Sequence, residues 1–342
     1  MVSMYPLDEG MWGPTVRISH LRDELAARVK LDLVSGYRGR RRGALARYAA
    51  SGRLRGIDGI YVESSTFLPA EADIAFLGLA RALGIPILTY IRDAYQLFPD
   101  YYEADTLRRR LGALAFRPAM RALSAVSTRL AFPSTGLARA IFGDRIDPVV
   151  IPPGSREPLD VPRVAGARRI LFVGNGRLEA QGAPLLIEAV GLARERGARV
   201  ELTIVSRPGE EPIGPHPSWT RVLNAEEAAI HALLPEVLAC VIPRPRGAYN
   251  DLAVPVKLYD YLAFGRPLLV TDCIEQALVV RRAGAGIVSG ASSDELARGL
   301  SALASASEDQ LDLWSDNARR EAIASSWASR AACVLETLGI AT

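Results

Sequence analysis

Short apolar segments rich in β-branched residues alternate along the chain with longer segments in which apolar residues recur every three or four positions. The short runs are typical of strands buried on both faces, and the longer spacing is typical of amphipathic helices. This alternation predicts parallel sheets flanked by helices. In the first half, strands are predicted near 1–5, 31–34, 58–62, 86–91 and 130–132, with a weaker candidate near 148–151. In the second half, they are predicted near 169–173, 200–205, 220–223, 238–242, 267–270 and 286–288.

The two series of strands are separated by "IPPGSREPLDVPRVAGARR", residues 151–169, which is rich in Pro and Gly and has little periodicity. Such a segment is typical of a linker. We therefore predict an α/β protein of two Rossmann-like, doubly wound parallel-sheet domains, at 1–155 and 165–319, facing a cleft into which the strands direct their carboxyl ends. The pattern leaves open whether the amphipathic segment at about 320–342 packs back on the first domain.

Composition narrows the class of protein. With 49% apolar and 23% charged residues over 342 positions, the chain can build two globular cores. It contains no apolar run long enough to span a bilayer and no signal peptide at its start, so we expect a cytoplasmic protein. The three cysteines, Cys240, Cys273 and Cys333, lack CxxC spacing, so neither a disulfide framework nor a metal site is predicted.

The net charge of +3 is unevenly distributed. Residues 1–150 contain 21 Arg or Lys against 15 Asp or Glu, a net of +6, and the remainder has a net of −3. A basic first half fits an anionic lipid surface, an anionic substrate or nucleic acid. Nucleic acid is disfavoured because no base-reading module is visible.

Two segments carry most of this basic charge, the Gly- and Arg-rich stretch 36–56 and the helical pattern 105–127. Solvated surface is the first interpretation for both, and a patch facing a membrane or an acceptor is the alternative. The second interpretation would place the protein peripherally at the inner face of a membrane. The arginines of the helical pattern are Arg108, Arg109, Arg110, Arg117 and Arg121.

A glycine-rich loop follows the first strand of the second half, in "ILFVGNGRLEAQGAPLLIEAV", residues 170–190. Gly174 and Gly176 allow backbone amides to approach a ligand, and the helix that begins near Ala183 directs its positive end at the same place. A phosphate is the expected occupant, with Arg177 adding a cation. The loop does not match a dinucleotide fingerprint, because the third glycine of GxGxxG would fall on Glu179.

Lys257 lies in "PVKLYDYLAFGRP" and is one of only two lysines in the chain, since the other 39 of the 41 Lys and Arg residues are Arg. Pro255 is favourable at a helix start, so Lys257 falls in the first turn, where the macrodipole disfavours a cation. Asp260, three residues later, lies on the same helical face. The pair predicts a nucleotide site, with Lys257 on phosphate oxygens and Asp260 on ribose hydroxyls. The alternative is an ordinary surface ion pair.

The second half resembles the donor-binding domain of retaining GT-B glycosyltransferases of family 4. The resemblance is carried, in the family's order, by "FVGNGRLEAQGAPLLIEAV", "CVIPRPRGAYNDLAVPVKLYDYLAFGRPLLVTD" and "AGAGIVSGASSDELARGLSAL", and it covers most of 168–305. The first half is similar more loosely, through "YPLDEGMWGPTVRISHLRDELA" and "TYIRDAYQLFP".

The resemblance implies transfer of a sugar, with retention and without a metal or other cofactor, from a nucleoside diphosphate sugar of UDP or GDP type. The acceptor would be a hydroxyl group, and lipid-linked acceptors are included. The implied role is in polysaccharide, glycolipid or glycoconjugate synthesis. The first domain would then face the acceptor and the second would bind the donor. The implied catalytic residues are Arg177, Lys257, Arg92 and Asp93. The donor-binding residues are Gly10, Gly13, Gly174, Asn175, Gly176, Gln181, Ser206, Arg207, Val222, Leu223, Asn250, Asp251, Leu252 and Asp260.

Four positions depart from the family pattern. Gln181 stands where the family often has Lys, and Arg92 stands where it often has His. Of the family's two spaced Glu residues, the first is replaced by Leu252 and the second by Asp260, which is one methylene shorter. Asn250 and Asp251 are displaced candidates for the lost sugar contact. Because of these departures, the alternative interpretation is a non-catalytic GT-B protein that binds nucleotide sugars.

Overall fold

The computed structural model describes residues 1–7, 14–66, 68–99 and 101–341. The chain divides into two compact units. The first comprises Met1–Gly154 together with Trp327–Thr342, and the second comprises Ser155–Ser326. No helix among the described residues is both long and apolar enough to cross a membrane.

The first unit is built on a parallel sheet of six strands in the order β2-β1-β3-β4-β5-β6. Its strands are β1 (Val2–Ser3), β2 (Val34–Ser35), β3 (Ile60–Glu63), β4 (Ile87–Tyr90), β5 (Arg129–Phe132) and β6 (Val149–Val150). Its helices are α1 (Pro14–Ala26), α2 (Arg38–Ala50), α3 (Glu71–Ala82), α4 (Leu107–Val126) and α5 (Thr135–Phe142), with short 3-10 turns at Arg53–Gly56 and Tyr95–Leu97.

The second unit repeats this plan, in the order β12-β11-β10-β7-β8-β9, again with every pair parallel. Its strands are β7 (Arg169–Val173), β8 (Glu201–Ser206), β9 (Thr220–Asn224), β10 (Val237–Ile242), β11 (Leu268–Thr271) and β12 (Gly286–Ser289). Its helices are α6 (Ala183–Glu195), α7 (Glu227–Leu233), α8 (Val256–Ala263), α9 (Ile274–Ala283), α10 (Ser293–Ala304) and α11 (Glu308–Ala324), with 3-10 turns at Glu179–Gln181 and Leu234–Glu236. The predicted fold class, two doubly wound parallel α/β sheets, is confirmed.

Both faces of the second sheet are covered, as a doubly wound sheet requires. Along β7, Ile170 and Phe172 enter the core beneath α6 and α10, whereas Leu171 enters the opposite core with residues of α8 and α11. Successive side chains of a strand point to opposite faces, so the continuous apolar run of β7 supplies both cores.

The last helix, α12 (Trp327–Thr337), contributes to the core of the first unit. It packs against α1, and its Trp327 and Val334 are buried with Leu21 and Leu88. Gly154 makes room for this helix, because a Cβ at that position would lie 2.4 Å from the Trp327 ring.

Candidate functional site

The candidate site lies at the point in the second sheet where the strand order reverses. The chain begins this sheet at β7, continues through β8 and β9 on one side, and returns to β10 on the other. Ligands of open α/β sheets bind outside the carboxyl ends of the two strands that flank such a reversal. Val173 ends β7 and Ile242 ends β10, so the segments after these residues border the expected crevice.

Gly182 brings these two segments into close contact. It has a left-handed backbone, with φ at +79°, and a Cβ there would lie 1.8 Å from the carbonyl oxygen of Pro243. Only glycine fits, because both the backbone conformation and the available space exclude a side chain. Gly182 also precedes the first residue of α6, so the amino end of that helix is held beside the end of β10.

Gly174 and Lys257 share one small space. The ammonium of Lys257 donates a hydrogen bond of 2.7 Å to Gln181 Oε1, which also accepts from the backbone N–H of Asn175 at 3.2 Å. A Cβ on Gly174, whose φ is +155°, would lie 2.3 Å from Lys257 Nζ and 2.4 Å from Gln181 Oε1. The structure thus brings Lys257 into contact with Gln181 and the predicted phosphate loop. Lys257 and Gln181 are more than 70 positions apart in the sequence.

Burial controls the charge of Lys257. The pKa of Lys257 is lowered from 10.5 to about 7, first by burial and then by the Arg244 guanidinium, against the opposing influence of Asp260 and Glu210. The ammonium lies 4.6 Å from the centroid of the Phe172 ring, and this cation–π contact offsets part of the lost hydration. An anion bound here would favour the charged form and raise this pKa.

Asp260 belongs to the same electrostatic environment. Burial raises the pKa of its carboxyl group from 3.8 to about 6, although Arg156 and Lys257 both act to lower it. The side chain stands on α8, one helical turn beyond Lys257. A carboxylate whose pKa is raised by burial gains from any hydrogen-bond donor that approaches it, and paired ribose hydroxyls are such donors.

The loop after β7 is held by its own hydrogen bonds. Asn175 Oδ1 accepts from the backbone N–H groups of Arg177 at 2.9 Å and Leu178 at 3.0 Å, and Gly176 donates to the carbonyl of Glu210 at 2.7 Å. Arg177 is exposed and its Nε donates to the carbonyl of Glu211 at 3.2 Å. The structure therefore anchors this guanidinium to the loop that follows β8.

Asn250 and Asp251 hold the loop that leads into α8. Buried Asn250 accepts from Arg244 and donates to the carbonyl of Pro245 at 2.8 Å, and Asp251 receives two hydrogen bonds from Arg246, at 2.7 and 2.8 Å. Leu252 follows, half-buried. Both polar side chains are thus bonded to arginines in the structure.

The residues predicted near the base lie at the ends of β8 and β9. Ser206 donates its hydroxyl to the carbonyl of Gly174 at 2.7 Å, which fastens the predicted phosphate loop to β8, and Arg207 beyond it is exposed. Val222 and Leu223 pack into the two opposite cores of the unit. Their side chains are used in packing, so base recognition here would depend on backbone atoms.

Arg92 and Asp93 lie in the first unit, after β4. Arg92 donates to Asp93 and, through Nη2, to the hydroxyl of Tyr5 at 2.8 Å, with its guanidinium 4.9 Å from the Tyr5 ring centroid. The same hydroxyl accepts from the backbone N–H of Thr66 at 2.8 Å. These side chains therefore meet where β1, β3 and β4 end. The predicted Gly10 and Gly13 lie outside the described residues.

Three charged neighbours of the site were not predicted from the sequence. Arg244 follows β10 by two residues and influences Lys257, and its place after an apolar strand was a usable signal. Glu210 influences Lys257 and Arg156 influences Asp260, but both belong to irregular segments without any periodic pattern. Only the folded chain reveals their proximity.

Comparison with known proteins finds a family model for the second unit and several structural neighbours for the whole chain. The family model described as Glycosyl transferases group 1 matches residues 167–306, within the second unit. No curated protein matches the sequence.

Among solved structures, the one described as trehalose-6-phosphate from E. coli bound with UDP-2-fluoro glucose has a TM-score of 0.64 at 11% identity, covering 100% of this chain and 99% of that chain. Sucrose-phosphate synthase from Thermosynechococcus elongatus has a TM-score of 0.62 at 12% identity, with 98% and 97% covered. An α,α-trehalose-phosphate synthase from Burkholderia xenovorans, in complex with glucose-6-phosphate, has a TM-score of 0.57 at 12% identity, with 89% and 79% covered. At such identities the likeness establishes the fold, and both units have the parallel α/β architecture of the GT-B glycosyltransferases.

Proposed function

We propose that the protein is a glycosyltransferase of hexosyltransferase type, which moves a sugar from a nucleoside diphosphate sugar to an acceptor hydroxyl with retention. The observation that carries this proposal is the contact among the Gly174 loop, Gln181 and Lys257 at the strand-order reversal of the second unit. The match of residues 167–306 to a glycosyltransferase family model supports it independently. The structural neighbour described with UDP-2-fluoro glucose is consistent with a UDP-type donor.

In the proposed reaction, the bond from the anomeric carbon to the diphosphate breaks and a bond to the acceptor oxygen forms, and the hydroxyl proton passes to the departing diphosphate. The leaving diphosphate gains negative charge as its bond breaks. Lys257 and the amino end of α6 would stabilise that charge, and preorganised electrostatic stabilisation of this kind usually contributes more to catalysis than any other single effect. No metal or cofactor is required in this scheme.

Other residues receive roles that remain proposals. Arg177 would approach the diphosphate from the exposed side of the loop, and Asp260 would accept hydrogen bonds from the ribose. Arg92 and Asp93 would act on the acceptor side, in the first unit. We assign acceptors to polysaccharide, glycolipid or glycoconjugate synthesis, with lipid-linked hydroxyls among the candidates.

The first test is a thermal-shift panel of UDP, GDP, ADP and dTDP sugars. A ligand that binds only the native state raises the apparent stability, so one nucleotide class should raise the melting temperature above the others. Product formation in an acceptor screen would then identify a transferase. A shift without product for any acceptor would instead favour a non-catalytic protein that binds nucleotide sugars.

The decisive variants are Lys257→Ala and Lys257→Arg. Loss of a preorganised charge beside the leaving group should lower kcat/KM by about a hundredfold or more, and Arg should rescue poorly because a planar guanidinium differs from a compact ammonium. The matched control is Lys30→Ala, since Lys30 is the only other lysine and is exposed in the first unit. Full activity in Lys257→Ala would end the proposal.

A further inference from the structure

Helix α4 has two apolar faces. One face carries the buried residues Phe116, Met120 and Leu123, which pack into the first unit. The other carries Leu107, Leu111 and Leu114, which are 73%, 56% and 75% exposed. At 3.6 residues per turn the two sets lie about half a turn apart, so the second set points directly away from the core.

The exposed leucines form one continuous ridge. Their spacing of four and then three residues places them on a single stripe of the helix, and exposed Pro118 extends that stripe by another turn. Isolated exposed leucines are normal on protein surfaces, whereas an aligned row marks an interaction site. Leu107 and Leu114 are among the most exposed large apolar side chains of the described residues.

Arginines border this ridge on both sides. Helical geometry places Arg110, Arg117 and Arg121 along one edge and Arg108 along the other. Within Leu107–Val126 there are five arginines and no acidic residue. Arg110 and Arg117 are held by backbone carbonyls, at 3.0 and 2.8 Å, and these neutral acceptors leave the positive charges unbalanced.

The first turn of α4 makes the charge pattern costly to the fold. Arg108, Arg109 and Arg110 stand together at the positive end of the helix dipole, where acidic residues are favoured and cations are disfavoured. Arg109 has a compensating ion pair with Asp105, at 3.1 Å. A bound anionic surface would offset the remaining repulsion.

We propose that the outer face of α4, with Leu107, Leu111 and Leu114 as its apolar ridge and Arg108, Arg110 and Arg121 as its borders, docks in the plane of an anionic lipid bilayer. An apolar ridge between rows of cations matches the acyl and headgroup layers of such a surface. The inference is independent of the proposed transfer reaction, since lipid binding requires neither donor nor acceptor.

Two other occupants fit less well. A symmetric second copy would place α4 against α4, which brings ten arginines together without any carboxylate from either helix. A nucleic acid would satisfy the arginines but would leave the leucine ridge against a phosphate backbone. The bilayer alone satisfies both the charged and the apolar parts.

The experiment measures cosedimentation of the full chain with vesicles of phosphatidylcholine alone and of phosphatidylcholine mixed with phosphatidylglycerol. We expect binding to the mixed vesicles that weakens as salt is added.

Replacing the three ridge leucines together should lower the partition coefficient of the protein between vesicles and water by about tenfold or more. Removing two bordering charges should lower it by roughly fivefold per charge and should reduce the salt dependence. The variants are Leu107→Ser with Leu111→Ser and Leu114→Ser for the ridge, and Arg108→Gln with Arg121→Gln for the borders.

The matched control replaces three exposed apolar residues of the second unit, Leu278, Leu313 and Ile323, which are 54%, 50% and 63% exposed, with Ser. This control should bind vesicles like the parent, and circular dichroism should show that every variant is folded. Equal binding of the parent to both vesicle types, or no binding to either, would overturn the proposal. So would a folded ridge variant that still binds fully. Conversion of a dimer to a monomer by the ridge variant, with no lipid binding, would identify a protein interface instead.

Discussion

At the scale of single residues, the ionisation of Lys257 makes the stability of the protein depend on pH. Because the pKa of Lys257 is about 7 in the folded protein and 10.5 ordinarily, the unfolded chain binds more protons between those values. Stability therefore rises with pH through this window, and the cost of burying the ammonium is fully present below about pH 7. We predict that this rise in the free energy of unfolding is absent from Lys257→Met, as measured by denaturant titration at several pH values.

The same shift predicts that a diphosphate ligand binds together with a proton. The ligand raises the pKa of Lys257, so affinity should fall as pH rises above about 7, by at most tenfold per unit. Calorimetric titration of UDP in buffers of different ionisation enthalpy would measure the proton uptake. Lys257→Met should bind UDP weakly and without that uptake. Equal proton uptake on UDP binding by the parent protein and by Lys257→Met would contradict the assignment of Lys257 to the diphosphate.

Gly174 is the second residue from which a sharp prediction follows. Replacement with Ala places a Cβ 2.3 Å from the Lys257 ammonium, so either the lysine or the loop must move. We expect a loss of stability on the order of 2 kcal/mol and a larger loss of UDP affinity, from thermal and calorimetric titrations. Gly247→Ala, in the same unit but with open space around its Cβ, is the control and should change neither quantity. Unchanged UDP affinity in Gly174→Ala would separate the loop from the ligand site.

At the scale of elements, the inner strands β3, β4, β10 and β11 were predictable because burial on both faces gives each one a largely continuous apolar run. The edge strand β2 was predicted at 31–34 and is observed at Val34–Ser35. β1 has only two residues to pair with it, and the carbonyl of Asp32 accepts instead from the Met1 ammonium at 2.7 Å. Tertiary contacts of this kind decide where a short edge strand begins, and no local pattern encodes them.

The elements of the candidate site were less predictable than the sheets. Lys257 could be singled out because a lone lysine in a first helical turn is unfavourable unless something offsets it. Its hydrogen bond to Gln181 could not, because the two residues meet only when β7 and β10 become neighbours. Arg244 was missed although its place directly after an apolar strand was a usable signal. Spacing along one helix predicts neighbours on that helix, whereas a site built from several strand ends depends on the order of the strands.

At the scale of the whole molecule, the first unit is discontinuous in sequence and the second is not. The core of the first unit includes Trp327, Ala331, Val334 and Leu335 from α12. Both cores of the second unit are built entirely from residues of Ser155–Ser326. Removing the end of the chain should therefore affect the two units very differently.

We predict that a chain ending at Ser326 loses the first unit and keeps the second. Four large apolar side chains, Trp327, Val334, Leu335 and Leu338, would be missing from one core. At about 2–5 kcal/mol for each large buried side chain, their combined loss is comparable to the whole free energy of unfolding of a typical domain, about 5–15 kcal/mol.

Limited proteolysis with mass spectrometry should then degrade residues 1–154 and leave 155–326 intact. The surviving fragment should still show the thermal shift with the preferred nucleotide, because Lys257, Gln181 and Gly174 all lie within it. A chain ending at Ile340, which keeps α12, should behave like the full protein. A first unit that resists proteolysis without α12 would show that this helix is dispensable to its core.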